Sequence, residues 1–285
     1  MNVPVPPSMP AVPAVAKSAP RVAPAGFSMP TKSHRGVAIV INAVEGWGKT
    51  TLLANAPDAS IIMAPREAGY QTLFDRGLVP AIPSASVSTW EQLLVTVDSV
   101  TADTKVLGLD AAGGFERLCH QFVCDRDYKG VWGSKGFDNY KEGYDVSVGD
   151  WLILLSKLED LQVKGVNIIM LSHARIVPFQ NPIGPDYSRF EADLHKKTWG
   201  VTHKWADAVL FGRFFSVVET RAGGKDAEVL KKGKGVGGDT RVLYTQRRDA
   251  WDAKNRFGLD ECIDIPSDRN QSWAEFARHV FTKES

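Results

Sequence analysis

The chain has few cysteines, no long apolar run and almost no net charge, and each shortage narrows what it can be. Its three cysteines, Cys119, Cys124 and Cys262, form an odd set without a Cys-x-x-Cys pair. That excludes a disulfide framework and suits a reducing cytosol. Two of them share the stretch CHQFVC with a histidine, but a zinc knuckle needs a fourth ligand and a different spacing. The longest apolar runs, VAIVI from Val37 and WLILL from Trp151, fall far short of the roughly 18 residues a membrane-spanning helix needs. The expectation is a cytoplasmic protein with no membrane partner. Eight of the 16 prolines lie in the first 33 residues, so this segment cannot form the continuous apolar helix of an export signal. Residues 1–33 read as a disordered Pro/Ala-rich tail and 34–285 as one domain. No internal repeat is present.

What the sequence does have is a core and a pattern. With 285 residues, 44% of them hydrophobic, the chain is long enough to fold on its own. Short β-rich runs alternate with helical stretches, the pattern of a mainly parallel sheet sandwiched by helices. Strands are expected near Val37–Asn42, Ser60–Ala64, Lys105–Asp110 and Val166–Ser172. A helix carries Trp151, Leu154, Leu155, Leu158 and Leu161 on one face. KWADAVLFGRFFSVVETR reads as a helix end feeding a long strand, and DTRVLYTQ as its antiparallel partner in a C-terminal hairpin. Ser272 is the expected N-cap of a final amphipathic helix. The tail, VPFQNPIGPDYSRFEADLHKK and AGGKDAEVLKKGKGVGGD read as linkers.

The segment INAVEGWGKTTLLANAP carries the chemistry. A phosphate-binding loop needs a strand, a tight glycine turn exposing backbone N–H groups, a lysine, and a hydroxyl at the next helix's start. Here Glu45, Gly46, Trp47, Gly48, Lys49, Thr50 and Thr51 form the nucleotide-binding loop. Lys49 is its cation and Thr50 its Mg²⁺-binding hydroxyl. Ala43 stands where the pattern has its first glycine, which a negative φ would allow. Three strand ends supply the rest. Asp110 is placed to hold Mg²⁺, Glu67 to act as the base on an attacking water, and His173 to touch the γ-phosphate. ATP and Mg²⁺ are the implied cofactors. No guanine-reading Asn/Thr-Lys-x-Asp element follows.

With these residues in hand the chain resembles the phage-encoded RecA-like P-loop ATPases, the AAA-type nucleotide-binding group that includes phage single-strand annealing recombinases. The resemblance runs from about His34 to Pro266, through EGWGKTTLLANAP, APREAG, VLGLDAAGGFE, NIIMLSHA, RFEADLHKKTWGVTHKWADAVLF and RVLYTQRRDAWDAKNRFGL. It implies a RecA-like core in which the His173 strand lies between the loop strand and the Asp110 strand. It also gives DAKNRFG a role: Lys254 and Arg256 are similar to the cations that replicative helicases reach into a neighbouring subunit's nucleotide. A homo-oligomer with nucleotide at its interfaces follows, and a single-strand-binding protein becomes a candidate partner. If the chain is phage-encoded, the compartment is the host cytoplasm.

Two segments are candidates for single-stranded DNA. The one after His173 mixes Phe179, Tyr187 and Phe190 with Arg189, Lys196 and Lys197, and stacking plus phosphate pairing is what single strands require. The other is a Gly/Lys turn with Lys231, Lys232 and Lys234. It lies where Arg221 to Arg256 hold ten Lys/Arg against five Asp/Glu, suited to backbone contact without base reading. Either could instead be an oligomer contact. VWGSKGFDNYKEGYD could cover an adenine or serve a partner. Two functions are expected from this sequence: an ATP-hydrolysing protein acting on single-stranded DNA in phage-type recombination or annealing, or an assembly and loading scaffold that binds ATP with little hydrolysis.

Overall fold

The computed structural model describes residues 23–29, 31, 34–219 and 234–281. The chain divides into two units, Met1–His34 and Arg35–Ser285. The described part of the first contains a turn in which the Phe27 amide donates to the Pro24 carbonyl at 3.0 Å.

The second unit follows the order β1 (Ala38–Ala43), α1 (Lys49–Ala54), β2 (Ala59–Met63), α2 (Gly69–Asp75), β3 (Ser84–Ser86), α3 (Trp90–Asp98), β4 (Val106–Asp110), α4 (Ala112–Tyr128), α5 (Glu142–Val163), β5 (Asn167–Phe179), β6 (Tyr187–Ala192), α6 (Lys196–Trp205), β7 (Ala208–Glu219), β8 (Lys234–Tyr244), β9 (Lys254–Asn255), β10 (Cys262–Ile265) and α7 (Arg269–Val280). The strands form one sheet in the order β10-β8-β7-β1-β5-β4-β2-β3. From β7 to β3 it is parallel. β8 and β10 continue it antiparallel. This is the α/β fold with a C-terminal antiparallel hairpin that the sequence pattern called for. The His173 strand, β5, lies between β1 and β4 as the RecA-like core requires.

Every residue of β1 is buried, because helices cover both faces of the sheet and no side of the strand meets water. Ile39, Ile41 and Ala43 face Leu52 and Leu53 of α1, Tyr70 of α2, and Trp273 and Phe276 of α7. Val40 belongs to the opposite layer with Trp90, Phe115, Trp151, Leu154 and Trp199. The helical stripe at Trp151, Leu154, Leu155, Leu158 and Leu161 is buried as expected.

Three local expectations change, and one short strand was not expected at all. The segment after His173 is a β-hairpin, not a linker: β5 runs on to Phe179 and pairs antiparallel with β6, Ala174 opposite Ala192 and Phe179 opposite Tyr187. Pro178 hides it in the sequence, yet a proline is tolerated on a ribbon with a free edge. The N-cap of α7 is Asp268, whose side chain accepts from the Asn270 amide at 3.0 Å; Ser272 lies buried within the helix and donates to the Arg269 carbonyl. Lys234 belongs to strand β8, opposite Glu219, and not to a turn. The three-residue β3 carried no apolar signal, its sequence being SAS.

Ala43 is accommodated by its neighbour. It pairs with Gly212 in β7, and a Cβ built at Gly212 would lie 2.8 Å from both the Ala43 methyl and the Trp47 ring. Gly212→Ala is therefore expected to destabilise the fold by about 1–3 kcal/mol, the range of overpacked cores. Urea unfolding measures it.

Candidate active site

The P-loop sits at the carboxyl ends of the central strands, where β1 stops and α1 begins. Gly46 and Gly48 have φ of +73° and +99°, a left-handed region that a side chain enters at a cost. Ala43 is absent from the positive-φ residues, which is why it can replace a glycine. The Val44 amide is held by the Gly212 carbonyl at 3.1 Å, whereas the amides of Gly46 and Gly48 find no acceptor among the described residues. Unsatisfied amides at a helix start form an anion site. Glu45 and Gly46 are exposed and Thr51 is buried. The Trp47 side chain is fully buried in the core. Its contribution to the loop is thus backbone position and anchoring, not ring contact with a ligand.

Lys49 is buried and folds back over its own loop, donating to the Ala43 carbonyl at 3.0 Å and the Val44 carbonyl at 3.4 Å. Burial pushes its ammonium below the usual lysine range, with Asp110, Glu67 and Glu45 acting in the opposite direction. The Thr50 hydroxyl donates to Asp110 Oδ2 at 2.7 Å. Burial raises Asp110 above the usual carboxylate range, and the Thr50 bond only partly offsets this. A hydroxyl and a carboxylate joined in this way are hard oxygen donors of the kind Mg²⁺ takes. A cation there would relieve a buried, undersolvated carboxylate, so the residues fit a Mg-nucleotide.

His173 pairs with Ala43 in register and so projects from the α1 side of the sheet. Its Nε2 lies 3.8 Å from Glu67 Oε1, and its Nδ1 is buried with no hydrogen-bond partner among the described residues. Glu67 follows a turn in which Arg66 has φ of +69°, beside a cleft of about 280 Å³ lined by Met63, Ala64, Pro65 and Gln71. A larger cleft, of about 530 Å³, includes Asp58, Ser84 and Asp103; it lies at the amino ends of β2, β3 and β4, away from this chemistry. Lys49, Thr50, Glu67, Asp110 and His173 are thus brought to one edge from four separate segments.

Residues 35–257 match a family model described as an AAA domain. The chain belongs to that AAA-domain family. No curated protein matches it. Among solved structures, the RadB recombinase aligns with a TM-score of 0.43 and 11% identity, covering 83% of this chain and 89% of its own. A KaiC-like protein from the hyperthermophilic archaeon Pyrococcus horikoshii OT3 gives 0.37 and 11%, covering 83% and 88%. This AAA domain is a P-loop ATPase fold, and among its described residues no helix is long and apolar enough to cross a membrane.

The remaining sequence candidates scatter. Lys254 and Arg256 lie at the amino end of β7, where Asn255 pairs with Ala208, at the opposite end of the sheet from the loop. Lys254 caps α6, donating to the carbonyls of His203 at 2.8 Å and Ala206 at 2.6 Å; the cation meets the helix dipole's negative end. Lys254 is thus engaged within its own chain in this structure. Arg256 is more exposed, with Asp207 at 3.3 Å. Lys254→Met in this AAA domain should cost about 1–3 kcal/mol of stability through its lost charge-assisted bonds, while Arg256→Ala should cost under about 1 kcal/mol, as surface pairs do. Thermal melts compare the two.

Of the DNA candidates, Arg189 is engaged within its own hairpin. It is only 9% exposed, bound to Glu191 at 2.5 Å and stacked 4.4 Å over Phe179. Phe190 stacks on Phe211. Lys197 pairs with Asp145, and Lys196 is exposed. Lys231 and Lys232 lie outside the described residues. Sequence reasoning missed Glu116, whose carboxylate accepts the His195 amide at 2.9 Å and ties α4 to the start of α6. It also missed Arg241. Both stand in blocks that carry the resemblance, Glu116 at the end of VLGLDAAGGFE and Arg241 at the start of RVLYTQRRDAWDAKNRFGL, but neither has an assigned role there.

Proposed function

We propose that this AAA domain binds and hydrolyses ATP with Mg²⁺ and couples the nucleotide to single-stranded DNA, in recombination or annealing of the phage type. The observation that carries the reading is the Thr50–Asp110 hydrogen bond of 2.7 Å beside Lys49 and the open loop amides. The loop amides would take the phosphate oxygens and Lys49 would turn from its own carbonyls to the anion. Mg²⁺ held by Thr50 and Asp110 would neutralise phosphate charge. Glu67 would accept the proton of the attacking water as the terminal phosphoryl group passes to that water's oxygen, leaving ADP and phosphate. His173 would orient Glu67 and sense the γ-phosphate. Because Arg256 sits at the far end of the sheet, it would serve the nucleotide of another copy, making hydrolysis depend on assembly. Support for a DNA strand comes from the β5–β6 hairpin, which exposes Ile176 and Ile183 and carries the Phe179–Tyr187 ring pair. Such rings and apolar tips favour unpaired bases. A single-strand-binding protein is a further partner to test.

A second reading has its own observation. With Lys254 engaged as a helix cap, one of the two cations proposed to act across subunits is held within its own chain, which favours a scaffold that binds ATP to assemble. Steady-state turnover with and without single-stranded DNA separates the two. The enzyme reading expects stimulation by DNA and a loss of about 10² in Glu67→Gln. An unstimulated, unchanged Glu67→Gln supports the scaffold.

A further inference from the structure

Among the described residues, Arg241 is a buried cation without a counter-ion. It lies in β8 between Phe214 and Ile265 of the flanking strands, 7% exposed. A guanidinium cannot shed its charge, and a buried ion left unpaired is costly. Among the described residues no acid compensates it: burial and a second cation, Arg269, both act against its charge. Its partners are carbonyls. Nη1 donates to the Trp47 carbonyl at 3.2 Å, Nη2 to the Pro266 carbonyl, and the guanidinium lies 5.8 Å from the Trp47 ring. It also closes on Gly48, where a Cβ would come within 2.6 Å of Nη1.

The peptide between Trp47 and Gly48 therefore has its carbonyl oxygen on a cation. In a planar trans peptide the N–H points away from the carbonyl oxygen, so the Gly48 amide faces away from Arg241. That amide is one of those with no acceptor among the described residues. We propose that Arg241 is a positioning residue for the triphosphate: its charge fixes and polarises the Trp47–Gly48 peptide so that the Gly48 amide is presented to phosphate, and the bound anion supplies a countercharge that no described residue gives. The proposal rests on the P-loop's binding ATP and adds a residue that no loop motif contains. It also ties the nucleotide to the C-terminal edge of the sheet, since the same guanidinium grips Pro266 ahead of α7. Affinity should then depend on Arg241 in proportion to phosphate charge, more for ATP than for AMP.

Calorimetry with ATP and AMP on the unaltered protein, Arg241→Lys and Arg241→Gln tests this. Both variants lose the guanidinium fork, but only lysine keeps the charge. The ATP-over-AMP preference should persist in Arg241→Lys and fall about tenfold in Arg241→Gln, the scale of a unit charge acting across a peptide in a partly buried site. Equal preferences in the two variants, or an equal loss for both nucleotides, would overturn it. Should Arg241→Gln not fold, amide exchange in the unaltered protein decides: ATP should protect 241–244 and 262–265 more than AMP does, and equal protection refutes the idea. Absence of ATP binding in the unaltered protein would instead defeat the P-loop assignment itself.

Discussion

Lys49→Ala should lose ATP binding by about 10- to 10⁴-fold while leaving the fold intact, because one or two charge-assisted bonds at about 1.5–3 kcal/mol each disappear with the ammonium. The second half of this expectation comes from the site's geometry. In the free chain Lys49 bonds to carbonyls of its own loop and is penalised by burial, so its removal takes away an undersolvated charge as well as two bonds. The variant should melt within a few degrees of the unaltered protein. Calorimetry with Mg·ATP beside a thermal melt checks both. A large fall in melting temperature would make Lys49 a structural strut rather than a ligand for phosphate.

Asp110→Asn should separate stability from activity more sharply. The carboxyl's pKa in the folded chain is raised by burial, so the folded state holds its proton more tightly than the unfolded chain does. Below the ordinary carboxylate value of 3.8 both states are protonated and Asp110 costs nothing. As pH rises from there through the raised value, the folded state loses stability, and the cost is complete above it. Asn removes that dependence and can still accept the Thr50 hydroxyl. The nucleotide-free variant should therefore be as stable as the unaltered protein or more so at neutral pH, with a flatter stability curve between acid and neutral. Its Mg-dependent turnover should fall by about 10³, as a carboxylate that holds the cation cannot be replaced by a neutral amide. Denaturant titrations across pH, paired with turnover, read out both. A variant that is less stable at neutral pH and unchanged in turnover would remove Asp110 from the metal site.

Much of this site was legible before any coordinates. Lys49, Thr50 and Asp110 announce themselves because a loop between a buried strand and a helix leaves few residue types able to face phosphate. Glu67 and His173 follow from the same logic, each ending an apolar run. The hairpin after His173 was not legible, since a ribbon outside the main sheet needs no apolar alternation and tolerates Pro178. The engagement of Arg189 and Lys254 within their own chain was not legible for a related reason. A cation in a sequence looks free, and only the fold shows whether Glu191 or the end of α6 has already claimed it.

The sequence by itself determined the alternation of strands and helices, the phosphate loop and the carboxylates at the ends of neighbouring strands, because these depend on local periodicity and on chemistry within a few residues. The tertiary structure alone decided that β5 lies between β1 and β4, that Gly212 makes room for Ala43 and Trp47, and that Arg241 reaches the loop across 194 residues of chain. Those facts depend on which distant segments pack together. Packing is set by the whole core at once, so no window of sequence contains it.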